Sequence, residues 1–199
     1  MRRVIAMTAT MMLVTGCGQS SEPAEPPAEI EEETSEAPGD GLLTAEGWGP
    51  LRIGMTREEV TAAVGAKADP DAMGGPEPEL CEEYQPADTP EGLYVMIEEG
   101  NLARITLAGD TEVRTAEGIT VGDSADQVRA AYGDALRARP HTYIDAPGEY
   151  LTVWSTGDVG ENGTSDDNAR GIRYEIGEDG MVRLIHAGGP AIQYVEGCL

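Results

Sequence analysis

The sequence predicts an α+β fold of two tandem units. Each unit reads as a short helix followed by about three antiparallel strands, and together they form a two-layer helix-on-sheet body. Three observations carry this expectation. First, the run Leu51 to Gly65 recurs as Ile119 to Gly133 in constant register, and both copies open with helix-start chemistry. Second, Gly92 to Ile105 aligns with Gly171 to Leu184, and both alternate apolar and polar residues around a glycine-containing turn. Third, the two helical segments are too short to hold without a surface to pack on, and a sheet supplies one.

The elements follow in order. Thr56 with Glu59 forms a capping box, and Met55 and Val60 suit the hydrophobic staple around it. Val60, Ala63 and Val64 share one helical face, and Gly65 stands where a C-cap is expected. The second copy repeats this with Ser124 and Gln127, then Val128, Ala131 and Tyr132, then Gly133. Each helix precedes a hairpin, with an earlier strand expected at Leu80–Tyr84 and at Tyr150–Trp154. Strict alternation turns Leu93, Val95, Ile97, Ala103, Ile105 and Leu107 toward the helices, and likewise Ile172, Tyr174, Ile176, Val182, Leu184 and His186. The units cover 47–110 and 111–199, the second longer through the polar Gly/Asp/Asn-rich segment 157–168.

The N-terminal part reads differently. Arg2 and Arg3 precede a short apolar run, and Thr15 and Gly16 are small, so 1–16 reads as a signal peptide. The segment Leu13-Val14-Thr15-Gly16-Cys17 resembles the lipobox of bacterial lipoproteins. That resemblance implies cleavage before Cys17, lipidation of Cys17 and anchoring to a membrane. Gly18, in place of Asp, implies the outer membrane, facing the periplasm in a Gram-negative cell. Residues 17–46 then read as the lipidated Cys and a disordered acidic tether, with nine carboxylates from Glu22 to Glu46, four prolines and no Lys or Arg.

The formal net charge of −24 repels nucleic acid, so none is expected as a partner. Cys81 and Cys198 remain; in an exported protein an even pair reads as a disulfide, the alternative being two buried thiols.

The phrase Gly54-Met55-Thr56-x-x-Glu59-Val60, followed by Gly65, resembles the helix opening of outer-membrane lipoproteins of the BamE/SmpA type. The tandem helix-then-sheet order also resembles β-lactamase inhibitory protein, which implies binding through a sheet face. Alternation places Tyr94, Met96, Leu102 and Arg104, then Arg173, Glu175, Met181, Arg183 and Ile185, on the face away from the helices. Tyr94, Met96, Arg104, Arg173 and Arg183 are therefore candidate partner-binding residues, weighed equally against an ordinary half-exposed sheet face.

Catalytic signatures are sparse. No GxSxG, HExxH or P-loop pattern occurs. His186 reads as a structural residue of the core face and His141 as solvated. Asp158 to Asn168 is rich in oxygen ligands suited to calcium but lacks EF-hand spacing, so a solvated loop is expected. The expected function is a non-catalytic, lipid-anchored envelope protein that binds or scaffolds an envelope protein partner, with no cofactor and no metal. The alternative is an inhibitor of a periplasmic or extracellular hydrolase, of β-lactamase or lysozyme type; a carboxylate-based hydrolase is a third reading. The sequence sets no oligomeric state.

Overall fold

Thr56 and Ser124 each end an extended segment and start a helix by the predicted chemistry. In the computed structural model, which describes residues 41–198, α1 spans Arg57–Val64 and α2 spans Ala125–Tyr132. The Glu59 amide donates to Thr56 Oγ1 at 3.3 Å while Glu59 Oε2 accepts from the Thr56 amide at 2.8 Å. Ser124 and Gln127 make the same reciprocal pair at 3.3 and 3.0 Å. Gly65 and Gly133 follow with φ of 79° and 54°, a region that favours glycine. Cys17, the signal peptide 1–16 and the tether up to residue 40 lie outside the described residues.

Among the described residues, ten strands complete the body. β1 (Leu43–Thr44), β2 (Gly47–Trp48) and β3 (Leu51–Arg52) form a small antiparallel sheet. β4 (Cys81–Tyr84), β5 (Leu93–Glu98), β6 (Asn101–Ala108), β7 (Arg137–Pro140), β8 (Glu149–Thr156), β9 (Arg170–Ile176) and β10 (Val182–Gly188) form one seven-stranded sheet. Its order is β4-β5-β6-β10-β9-β8-β7, every pairing antiparallel. The fold is therefore α+β and dominated by antiparallel strands. Val60, Val64 and Val128 share one buried cluster with the apolar residues of β5, β6, β9 and β10.

Three sequence expectations need correction. The tether does not run to 46: Leu43 is fully buried, and it exchanges backbone hydrogen bonds with Arg114 and Ala116 at 2.8 and 3.0 Å. The apolar Leu42-Leu43 step, with Ala45, ends the acidic run early. Two β-bulges then reverse the predicted faces. Opposite Met96 and Ile97 the register skips Ala103, so Leu102 joins the helix-side core and Ala103 faces the other way. Opposite Glu175 and Ile176 it skips Arg183, so Ile185 and Ala187 point into the core, and Leu184 and His186 turn away from it. One extra residue suffices because the side-chain period of a strand is two. The sequence also gave no sign of β7, an exposed edge strand ending at Pro140, where a missing amide costs least.

Cys81 and Cys198 are joined by a disulfide. From the end of β10 the chain turns through the 3₁₀ segment Pro190–Gln193 and returns to the first residue of β4. On this path it crosses the sheet face away from the main buried cluster, where Met96, Ala191 and Cys198 form a second one.

Candidate functional site

The register of the large sheet sets out the chemistry of this second face. One cross-strand row reads Arg137, Thr152, Arg173, His186, Thr106, Tyr94. The next reads Arg139, Tyr150, Glu175, Leu184, Ala108, and a third carries Trp154, Gly171, Gly188, Arg104, Met96, Glu83.

The predicted partner residues do not form one open surface. Met96, Arg104 and Arg173 are 0%, 2% and 6% exposed under the C-terminal segment, Tyr94 is half-buried, and Arg183 is exposed at its bulge. The buried arginines fasten that segment. Arg104 Nη1 donates to the Ala191 carbonyl at 3.1 Å, and its Nη2 lies 3.1 Å from both oxygens of Glu83. Arg173 donates to the Ile192 carbonyl at 3.1 Å and stacks 3.5 Å over the Tyr150 ring. Alternation could not show this, because the cover comes from residues far along the chain.

Between the arginines lies a buried polar network. Thr106 Oγ1 lies 3.1 Å from Glu83 Oε1 and 3.0 Å from His186 Nδ1, so its single proton is committed within the network. His186 Nε2 faces Glu175 Oε2 at 4.0 Å, and His141 Nε2 meets Glu175 Oε1 at 3.1 Å. His141 Nδ1 accepts from the amides of Tyr143 and Ile144 at 3.0 and 3.1 Å, so Nε2 carries the proton and donates to Glu175. His141, expected to be solvated, instead stacks on Tyr150 with ring centroids 4.6 Å apart. Its turn, between Pro140 and the Tyr143 and Ile144 amides, holds it there.

Burial pulls the His186 pKa down to about 4, against the opposing pull of Glu175. Burial alone would raise Glu175, yet the facing His186 and His141 outweigh it and leave the carboxyl below its ordinary value. Unfolded histidine takes a proton near pH 6.5, so between that value and about 4 the unfolded chain binds the extra proton. Stability therefore falls as pH drops through this window, by about 3 kcal/mol across it at 1.36 kcal/mol per pKa unit. Glu175 adds a loss of the same sign at still lower pH. Urea unfolding between pH 7 and pH 4 checks this: His186→Gln should flatten the slope, and a flat wild-type profile would refute it.

The C-terminal segment leaves open ground on both sides. One groove, of about 730 Å³, is floored by Tyr94, Thr106, Glu175, Leu184 and His186. The other, of about 780 Å³, is lined by Leu80, Tyr143, Tyr194 and Val195 together with Glu77, Glu98 and Glu196; Tyr194 donates to Glu98 at 2.8 Å and Tyr143 to Glu196. Leu80, Tyr143, Tyr194 and Val195 are 58%, 67%, 40% and 39% exposed, which makes this an outward apolar patch. Sequence reasoning missed it because its parts come from three distant segments. In the 157–168 segment, the Asp166 carboxylate accepts from the amides of Asp158 and Asn168 at 2.9 Å each, and these bonds hold its pKa below the ordinary value. No helix among the described residues is long and apolar enough to cross a membrane.

No protein-family model matches the chain, and no curated protein was found to match it. Among solved structures the chain is similar to the crystal structure of a DUF4309 family protein (YjgB) from Bacillus subtilis. That similarity has 14% sequence identity and a TM-score of 0.42, covering 75% of this chain and 88% of that chain.

Proposed function

We propose that this chain is a lipid-anchored envelope protein that binds a protein partner through the patch made by Leu80, Tyr143, Tyr194 and Val195. The carrying observation is the exposure of these four side chains around one groove pinned by the disulfide. Leu80 adjoins Cys81, and Tyr194 and Val195 lie within four residues of Cys198, so the disulfide limits the freedom these side chains lose on association. Glu77, Glu98 and Glu196 in the same lining favour a partner that brings Lys or Arg along with an apolar contact. The Cys17 motif supplies the anchor in this reading, and the disulfide fits an oxidising compartment. The same reading takes the body as a duplicated unit with its helices laid over one sheet. The recurring sequence and paired capping boxes support it, as does a strand order that mirrors about the β6–β10 junction.

The test is site-directed photo-crosslinking of the full chain in its source cells, with the probe at position 194, 143 or, as a control, exposed Arg114. Positions 194 and 143 should trap the same partner in the membrane fraction, and Val195→Asp should reduce capture about tenfold, the equivalent of 1.4 kcal/mol. Equal adducts from position 114, or capture unaffected by Val195→Asp, would sink the patch. Recovery of the chain only in soluble fractions would sink the anchor.

A further inference from the structure

Beyond the partner patch, the same face holds a pocket of different character. It encloses about 270 Å³ and is lined by Arg137, Arg139 and Arg173 together with Tyr150 and Trp154. The chain has 37 acidic residues against 13 Lys and Arg, yet seven of the ten described arginines make no ion pair. Here three converge. Among the described residues the ion pairs of arginine are Arg57 with Glu82, Arg104 with Glu83, and Arg129 with Glu149; none involves these three.

Their acceptors are neutral. Arg137 Nη1 donates to the carbonyls of Val159 and Gly160 at 3.3 and 2.7 Å. Arg139 Nη2 donates to the Glu161 carbonyl and to Asn162 Oδ1. Arg173 uses Nη1 for the Ile192 carbonyl. Each guanidinium thus commits one nitrogen, and the other two have no hydrogen-bond partner among the described residues. Holding the 159–162 loop, and for Arg173 the C-terminal segment, accounts for the first nitrogen and not for the rest. Glu161 also lines the pocket, with its carboxylate beyond ion-pair distance of these arginines.

Arg173 sharpens the point. It is only 6% exposed, and burial lowers its pKa against the opposing pull of Tyr150 and Glu175, with Arg104 and Arg139 pushing the same way as burial. Among the described residues Glu175 pairs with His141 and His186, so this buried cation has no carboxylate at ion-pair distance and stays costly to bury. A guanidinium fork fits a planar carboxylate or a phosphate through paired N–H bonds, and three of them around one space define an oxyanion site.

We propose that this pocket binds a small organic anion, with its carboxylate or phosphate group held by Arg137, Arg139 and Arg173 and its flat or apolar part against Trp154. The probes are inorganic phosphate, citrate and benzoate, titrated calorimetrically into the intact protein. At least one should bind saturably, and Trp154 fluorescence should change with the same midpoint. Arg137→Gln with Arg139→Gln should weaken it tenfold or more. Both residues are exposed, so the fold is expected to survive, and a cooperative melt of the double variant verifies this. Arg114→Gln, an exposed arginine elsewhere, should leave binding unchanged. No saturable binding at about 10 mM probe, where even a millimolar site fills, overturns the proposal. So does binding that survives the double substitution or falls equally with Arg114→Gln.

Discussion

Glu83→Ala is expected to destabilise the protein by about 3 kcal/mol, far more than Arg104→Met. The Arg104 side chain is 3% exposed and Glu83 26%, and the two face each other at 3.1 Å. Removing the carboxylate leaves a guanidinium shut away from water; its Nε already has no hydrogen-bond partner. Thr106 loses an acceptor as well. Arg104→Met leaves Glu83 unpaired instead, but that carboxylate is 26% exposed and keeps the Thr106 hydroxyl, so water can take over the lost partner while an apolar chain packs beside Met96 and Ala191. Urea unfolding at pH 7 measures both. Equal losses, or less than about 1 kcal/mol for Glu83→Ala, would mean the pair is screened by water like a surface ion pair.

Removing the disulfide has an effect of similar size by a different route. Cys81 and Cys198 are 117 positions apart, so the bond closes a long loop in the unfolded chain. The chain-entropy model gives about 4.7 kcal/mol for a loop of about 100 residues, with measured effects often smaller. Cys81→Ser with Cys198→Ser should lower Tm by about 10 °C in a domain of this size. It should also speed amide exchange in Pro190–Gln193, because the bond holds the segment that covers Met96, Arg104 and Arg173. An unchanged Tm would show that the tail stays docked by its hydrogen bonds alone. Both sets of substitutions act on the same cover, so their combined effect should fall short of the sum.

The helices and hairpins were legible in the sequence because their signals are local. A capping box spans four residues, and alternation needs only a strand. The faces were less legible. Ala103 and Arg183 form bulges without glycine or proline to announce them, and each sends the following residues to the opposite side. Without the extra residue at Arg183, alternation places His186 on the core face. The buried state of Arg104 and Arg173 depends on a segment nearly 90 and 20 positions away, beyond any local pattern. One clue was available. If Cys198 bonds Cys81, the chain after β10 must pass over β6 and β5 to reach β4, which lies three strands away, roughly 14 Å at 4.7–4.9 Å per strand. The arginine pocket was hidden for a related reason: β7 carries no alternating apolar signal.

The centre of the sheet has a consequence for how this protein meets proteases. β6 and β10 pair over five residues, and Thr106 touches His186 across 80 positions of chain. A cut anywhere in the connecting stretch between 109 and 118 would therefore separate the backbone without separating the pieces. The pairing at the middle of the sheet would hold them side by side, and the Cys81–Cys198 bond would keep them one covalent molecule. In a compartment where nicking is routine, such a body outlasts the integrity of its own chain until a reductant arrives.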